Sequence, residues 1–344
     1  MREVAGVLVR SLRWVAGMTA ASAIAGYSAP LKAAPPRALL ISWSSYKENV
    51  GYPRVYFYRH DGLGQGKLQG SIPPGQERSD VQARLSGDGR LCFYNYEFVG
   101  KAAKLAAWDI AANQEVSLRI PAADSVEMTP SPSNDGKWLA FSSLRRGNGV
   151  GWNLFVLNLE TGTLRETPGL NSDEDDRMPC LSGDGSLLAY AASRPDSVGL
   201  QDIYLYDLRS GKHLPLPGLN TTSRETEPYL SGDGKLIAFV SSRPADPKGV
   251  PGTGDLNIFL YDRRSARVEQ LPGLNGPGSE QSPALTPDGR YLCFVSERIS
   301  GAGGRDLYLY DREPQSGSPR LVPLPDLNSF RDEVDPSVTY APGL

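Results

Sequence analysis

One four-residue turn recurs along this chain. Ser/Thr-x-Asp-Gly appears as Ser86-Gly87-Asp88-Gly89, Ser133-Asn134-Asp135-Gly136, Ser182-Gly183-Asp184-Gly185, Ser231-Gly232-Asp233-Gly234 and Thr286-Pro287-Asp288-Gly289, with the aspartates 47, 49, 49 and 55 residues apart. A unit repeating at this period cannot bury its apolar face alone, so neighbouring copies must pack together, and the period is that of a four-stranded propeller blade.

Each Asp-Gly is followed by a short apolar run: LCFYNY (91–96), WLAFSS (138–143), LLAYAAS (187–193), LIAFVSS (236–242) and YLCFVSE (291–297). These runs have strand length and are rich in aromatic and β-branched residues. A polar loop leads to a second run, as in WNLFVLNLETG (152–162), DIYLYDLRSG (202–211), DLNIFLYDRRS (255–265) and DLYLYDREPQSG (306–317), where apolar and polar residues alternate with the period of a strand. A shorter third run ends in Pro168-Gly169-Leu170-Asn171, Pro217-Gly218-Leu219-Asn220, Pro272-Gly273-Leu274-Asn275 and Pro325-Asp326-Leu327-Asn328. With the run that enters each Asp-Gly turn, four strands per repeat are predicted.

The two ends complete the count. LLISWSSY (39–46) and VYFYRHDG (55–62) match the second and third strands, with no Ser-x-Asp-Gly turn before them, while Asp335-Pro336-Ser337-Val338-Thr339-Tyr340 matches a first strand with nothing after it. The C-terminal strand is therefore expected to complete the N-terminal blade. The fold class is all-β, a six-bladed propeller of four-stranded blades over residues 35–344. Such closure removes the open sheet edges that invite pairing with other chains. Gly and Pro together make 65 of the 344 residues, about 19%, which fits many tight turns and falls short of a disordered composition.

The first 34 residues differ in character. MREVAGVLVRSLR is basic, WVAGMTAASAIAGYSA is a weakly apolar stretch of 16 residues, and small residues follow at Ala23-Ile24-Ala25 and Gly26-Tyr27-Ser28, the pattern of a secretory signal. Residues 1–34 are read as a signal peptide or N-terminal anchor, and the protein as periplasmic or otherwise exported. The formal charge of −3 and sequence pI near 5.6 exclude a nucleic-acid binder that works through a basic field. Cys92, Cys180 and Cys293 are an odd number with no CxxC spacing. His60 and His213 are the only histidines, so a zinc site of the usual Cys/His kind is not expected.

The combination of an acid, a proline, Ser-x-Asp-Gly-Lys/Arg, Leu/Ile-Ala-Phe, Ser-Ser-Arg, Asp-Ile-Tyr-Leu-Tyr-Asp and Leu-Pro-Gly-Leu-Asn, clearest in ETEPYLSGDGKLIAFVSSR and DLNIFLYD within residues 225–262, resembles the repeat of the TolB-type propeller, a WD40-like or PD40 repeat. The resemblance covers roughly residues 37–344. It implies an exported propeller without the α/β domain that precedes the TolB propeller, and a protein-binding role in the cell envelope. Similar blades form the non-catalytic half of prolyl-oligopeptidase-like enzymes.

Three residues before the proline of each first strand stands a carboxylate: Glu127, Asp176, Glu225, Glu280 and Glu333, with Asp80 in the repeat that has Ala83 for proline. Propeller symmetry makes these six a ring at one channel mouth, the candidate binding site. The ring is expected either to attract a cation or a basic peptide segment through a focused field, or to cap loops and pair with arginines such as Arg78, Arg177, Arg224 or Arg331. The Asp-Gly aspartates are read as structural, and Arg145, Arg194, Arg243 and Arg298 as inter-strand ion pairs. The acidic run Ser172-Asp173-Glu174-Asp175-Asp176-Arg177 lacks the glycine and distal glutamate of a calcium loop and is read as solvated. No Gly-x-Ser-x-Gly, phosphate-binding loop or His-Glu-x-x-His occurs.

The expected function is thus a monomeric, non-catalytic platform for an envelope protein or peptide, with no catalytic residue and no cofactor, calcium being the one ion that suits the ring. Two alternatives stand beside it: a metal-dependent hydrolase or lactonase on the same architecture, which would use channel carboxylates, and an anchored envelope scaffold.

Overall fold

The computed structural model describes residues 37–46, 51–73, 77–145, 151–244, 256–299, 301–314 and 317–342, so the segment expected to be a signal or anchor lies outside the described residues. Among the described residues every regular element is a strand, arranged as six antiparallel sheets of four. From the channel outwards, blade 1 is Glu333–Tyr340, Leu39–Ser45, Arg54–His60 and Gly66–Ser71, and blade 2 is Arg78–Leu85, Leu91–Phe98, Lys104–Asp109 and Gln114–Val116. Blade 3 is Glu127–Pro132, Trp138–Ser143, Asn153–Asn158 and Thr163–Leu164; blade 4 is Asp176–Leu181, Leu187–Ala192, Asp202–Asp207 and Lys212–Leu214. Blade 5 is Glu225–Leu230, Leu236–Ser241, Asn257–Asp262 and Arg267–Glu269; blade 6 is Glu280–Leu285, Tyr291–Ser296, Asp306–Asp311 and Arg320–Val322.

The ring closes as expected. Glu333–Tyr340 pairs with Leu39–Ser45 from Leu39↔Tyr340 to Ser45↔Glu333, so the last strand of the chain is the innermost strand of the first blade. The second and third strands of each blade carry the buried apolar residues, among them Tyr94, Phe141, Tyr190, Phe239 and Phe294, which pack against the neighbouring sheets. Cys92, Cys180 and Cys293 are free and buried.

Each repeated phrase has a physical task. In the Asp-Gly turns the Ser or Thr hydroxyl donates to the aspartate carboxylate, from 2.6 Å at Ser86–Asp88 to 2.8 Å at Ser231–Asp233. The glycine then takes φ between 65° and 74°, which suits a residue without Cβ. In the Pro-Gly-Leu-Asn phrase the leucines Leu170, Leu219 and Leu274 are fully buried. The asparagine grips the first residues of its own third strand at both backbone groups: Asn275 Oδ1 accepts from Ile258 N at 2.9 Å and Nδ2 donates to Ile258 O at 2.9 Å. Asn171, Asn220 and Asn328 do the same at Leu154, Ile203 and Leu307.

Neighbouring blades are clasped by tyrosine. The hydroxyls of Tyr206, Tyr261 and Tyr310 donate to the carbonyls of Pro168, Pro217 and Pro272 in the preceding blade, and Tyr58 donates to Pro325 O at 2.7 Å, carrying the same clasp across the closure. These are side-chain bonds between sheets that share no strand, and they order the outer ring as the innermost strands order the channel.

Candidate functional site

Five of the six carboxylates are the first residues of their inner strands and Asp80 is the third residue of its own; all six are buried, Glu127 at 3% exposure and the other five fully covered. Asp80 accepts from Arg78 Nε at 2.6 Å, Glu127 from Arg145, Asp176 from Arg194 at 3.1 Å, Glu225 from Arg243 at 2.9 Å and Glu280 from Arg298 Nε at 3.4 Å. Four of these arginines follow the second strand and reach across to the first, the inter-strand role expected of them. Their guanidinium groups lie over aromatic rings, as Arg243 does at 5.2 Å from the centroid of Phe239 and 5.1 Å from that of Phe259.

The same carboxylates close the loops before them. Asp176 accepts from Ser172 N and Oγ, Glu225 from Thr221 N and Oγ1, and Glu333 from Ser329 N and Oγ. Among the described residues Glu333 takes hydroxyls, from Ser329 at 2.6 Å and Ser45 at 3.3 Å, where its five counterparts take a guanidinium. Burial pushes Glu333 up to about 7, helped by the nearby Asp306 and opposed by the Ser329 hydrogen bonds. Burial likewise raises Asp80 and Glu280 against the pull of Arg78 and Arg298. The six therefore do not face the channel as an open acidic ring. This corrects the reading of Asp80, Glu127, Asp176, Glu225, Glu280 and Glu333 as ligand contacts: none of them lines the central cavity, because their hydrogen-bonding capacity is turned back onto loop amides, hydroxyls and arginines.

What faces the channel stands two residues further on. In every inner strand a bulge interrupts the ladder, as between Arg177↔Ala191 and Cys180↔Ala189, or Thr226↔Val240 and Tyr229↔Ala238. At each bulge the residue before the proline position has left-handed backbone: Gln82 (φ 56°), Thr129 (53°), Met178 (56°), Glu227 (51°), Ser282 (50°) and Asp335 (52°). No glycine is used at any of the six. Bulges re-aim side chains, and left-handed non-glycine residues, which cost about 1–3 kcal/mol each, gather at ligand sites where the surrounding fold holds them. All six line a cavity of about 120 Å³ on the propeller axis.

These mouth residues are tied to one another from blade to blade. Asp335 accepts from the backbone of Gln82, Gln82 Oε1 from Thr129 N at 3.0 Å, and Glu227 Oε2 from Ser282 N at 2.6 Å. A second layer lies two residues deeper: Arg84, Ser131, Cys180, Tyr229, Ala284 and Ser337. There too the side chain of one blade accepts from the backbone of the next, Ser337 from Leu85 N at 3.0 Å, Ser131 from Leu181 N at 2.9 Å and Cys180 Sγ from Leu230 N at 3.2 Å.

Below this layer the channel narrows to about 20 Å³. The floor is made by the variable residue of the Asp-Gly turns. Asn134 N donates to Gly183 O, Gly183 N to Gly232 O and Gly232 N to Pro287 O, at 2.7–2.8 Å, and a Cβ added at Gly87 would come within 2.3 Å of the Asn134 side chain. Glycine at Gly87, Gly183 and Gly232 is what lets the turns meet. The site is thus a pit with a six-residue mouth, a six-residue waist and a backbone floor.

Its electrostatics are set by two acids and one base. Burial raises Glu227 and Asp335, each opposed by the nearby Arg84, and Asp335 adds to the shift on Glu227. Arg84 Nη1 donates to Ala83 O at 3.2 Å and Pro336 O at 3.1 Å, and its guanidinium lies 5.6 Å from the centroid of Tyr229, whose phenol burial pushes up to about 12. A ligand entering meets carboxyl and amide groups first and a cation with an aromatic ring below.

Neither histidine faces the pit. His60 Nε2 contacts Pro323 O at 3.0 Å and its Nδ1 accepts from Gly62 N, while His213 Nε2 is 2.6 Å from Tyr190 Oη. Among the described residues no three His, Cys, Asp or Glu side chains converge as a metal site. In the acidic run 172–177, Asp175 holds Arg177 and the Trp152 amide and Asp176 belongs to the ring, so two of its four acids serve structure. Of the pit, the repeat pattern of the sequence specifies the channel alone. The overlooked signal is that residues flanking the repeated acid and proline differ in all six copies at the mouth position.

No family model matches the chain, and no curated protein matches it. Among solved structures, TolB from Acinetobacter baumannii superposes with a TM-score of 0.61 at 17% identity, covering 88% of this chain and 66% of that one. A putative TolB from Agrobacterium tumefaciens gives 0.54 at 18% identity, covering 83% of this chain and 88% of that one. An oligogalacturonate lyase in complex with manganese gives 0.54 at 17% identity, covering 83% and 74%. The chain therefore spans just under two thirds of the Acinetobacter protein. These likenesses establish the TolB-type propeller fold, which is shared by proteins of different activity.

Proposed function

We propose that this protein is an exported, non-catalytic binding platform of the cell envelope, which receives an extended segment of a protein or peptide at the mouth of its central pit. One observation carries the reading. Positions that recur, the acid in all six repeats and the proline and the Asp-Gly turn in five each, are used to hold the frame. Positions that differ, Gln82, Thr129, Met178, Glu227, Ser282 and Asp335, are the ones aimed at the opening. A repeat that served only to fold would have no reason to vary there in chemistry while keeping a strained backbone. Specificity then resides in six different side chains on a rigid mount.

Export is supported by the signal-like composition of residues 1–34 and by the fold's likeness to TolB. The six buried carboxylates act as the mount for the mouth. Glu227 and Asp335 above Arg84 favour a segment that brings a cationic or hydrogen-bond-donating group to the upper layer. The test is capture from envelope extract by the full chain against its Glu227→Gln/Asp335→Asn variant. The reading expects a protein retained by the first and lost from the second while both chains still melt cooperatively; identical retained sets contradict it.

A further inference from the structure

A larger cavity lies away from the axis, between blades 1 and 2, with a volume of about 810 Å³, within the range of small-molecule sites. It exists where the chain departs from its own repeat. At the position of the clasping tyrosines Tyr58, Tyr206, Tyr261 and Tyr310, blade 2 carries Trp108, which has no hydroxyl for a proline carbonyl. The indole lines the cavity instead, with Leu40, Phe57 and Ile110.

The second departure is a charge. The residue after the clasping position is Asp109, Asn158, Asp207, Asp262 or Asp311 in the other five blades, where it caps the turn to the fourth strand, as Asp207 Oδ1 does for Arg209 N at 2.8 Å and Asp262 Oδ1 for Arg264 N at 2.8 Å. Blade 1 has Arg59 there, and the cap moves to Asp61, which accepts from the amides of Leu63, Gly64 and Gln65. Arg59 is half-buried, lines the cavity, and has no hydrogen bond or ion pair with any described residue. Its cross-strand neighbour is Lys67, a like charge directly opposite. The two acids of the cavity are already engaged: Asp88 accepts from Ser86 Oγ and Arg90 N, and Asp109 from Ala112 N and Arg90.

The third departure is at the wall. Gly70 in the fourth strand of blade 1 has φ 149° and nothing within 4 Å of where a Cβ would stand, so a ligand can lie against the backbone. At two other seams arginines cross between blades: Arg165 of blade 3 donates to Leu208 O of blade 4, and Arg312 of blade 6 to Glu269 of blade 5 at 2.7 Å.

We propose that this cavity binds a small aromatic anion, its ring against Trp108 and its charged group on Arg59. A planar guanidinium without a carboxylate partner matches a carboxylate or sulfonate in two-point geometry, and an aromatic face supplies area at low entropic cost. The site is independent of the axial pit.

The probe is 1-anilinonaphthalene-8-sulfonate, titrated into the full chain with its fluorescence read on direct excitation and by transfer from tryptophan. One saturable site is expected. Arg59→Asp, which restores the residue type of other blades, and the milder Arg59→Gln each lower affinity at least tenfold. Trp108→Tyr, again the residue of other blades, lowers the transfer signal and the affinity. Asp233→Asn, in a turn remote from the cavity, leaves both unchanged. No saturable site in the wild-type chain, or affinity unaltered in folded Arg59→Gln, overturns the proposal.

Discussion

The carboxylate of Glu227 in blade 5 accepts the backbone N–H of Ser282 in blade 6 at 2.6 Å, joining two residues that occupy the same place in consecutive repeats. Both have left-handed backbone, at 51° and 50°. The contact shows how the pit is built: side chains at its mouth are at once exposed to a ligand and fastened to the next blade. Affinity and ring geometry are thereby coupled at the same residues.

Ser282→Gly separates strain from recognition. Its side chain has no hydrogen bond among the described residues, and the amide that Glu227 uses is retained. Glycine accepts a φ of 50° without cost, and relief of a strained left-handed residue outweighs the added freedom of the unfolded chain, so stability should rise by about 1 kcal/mol. Chemical denaturation measures it; a loss of stability would show that the serine is not strained there.

Arg243→Ala should be among the most damaging single changes in the molecule. It strips the guanidinium from Glu225, which is fully buried, and leaves an uncompensated charge. Breaking such a pair from one side costs about 3–5 kcal/mol. The double variant Arg243→Ala/Glu225→Gln should recover part of that loss, since the stranded charge is gone. Urea unfolding of the two variants decides it.

These frame residues were legible in the sequence because they recur. The Ser-x-Asp-Gly turn, the acid three residues before proline and the Pro-Gly-Leu-Asn phrase each solve one local problem in nearly every blade, so their spacing alone located strands, turns and closure. The role of the acid was less legible. A carboxylate at a symmetric position looks the same in sequence whether it faces water or Arg194, and only the path of the second strand brings Arg194 to Asp176. The pit residues were hidden for the opposite reason. Gln82, Thr129, Met178, Glu227, Ser282 and Asp335 share no chemistry, and a bulge that turns the residue before a proline into left-handed backbone leaves no compositional trace.

Asn275→Ala tests the asparagine of the repeated phrase. Both its side-chain groups serve Ile258, at N and at O, and their loss strands two backbone groups near the blade interface. About 2 kcal/mol of destabilisation is expected. Asn275→Asp should fall between the two, because Oδ1 still accepts while the donor to Ile258 O is lost. A thermal melt of the three proteins ranks them.

Stability should also depend on pH through Glu333. Burial raises its carboxyl in the folded state to about 7, above the ordinary glutamate value, so the folded protein holds the proton more tightly than the unfolded chain. Its contribution is therefore fully present below the unfolded value, near 4.3, and is lost as pH rises towards 7. Glu333→Gln removes the titration. The stability difference between wild type and variant should shift against the wild type across that window, by about 4 kcal/mol at most. A difference that stays flat from pH 4.5 to 7.5 would show that the buried carboxyl is not raised.

The central claim is that the pit mouth does the recognising while the carboxylates behind it hold the mount. Its most direct measurement is quantitative capture from envelope extract by three full chains: wild type, Glu227→Gln/Asp335→Asn at the mouth, and Asp233→Asn in an Asp-Gly turn on the opposite face. The account predicts one retained protein common to the first and third and absent from the second, with all three melting cooperatively. Retention that survives the mouth substitutions, or that is lost instead from the turn variant, would contradict it.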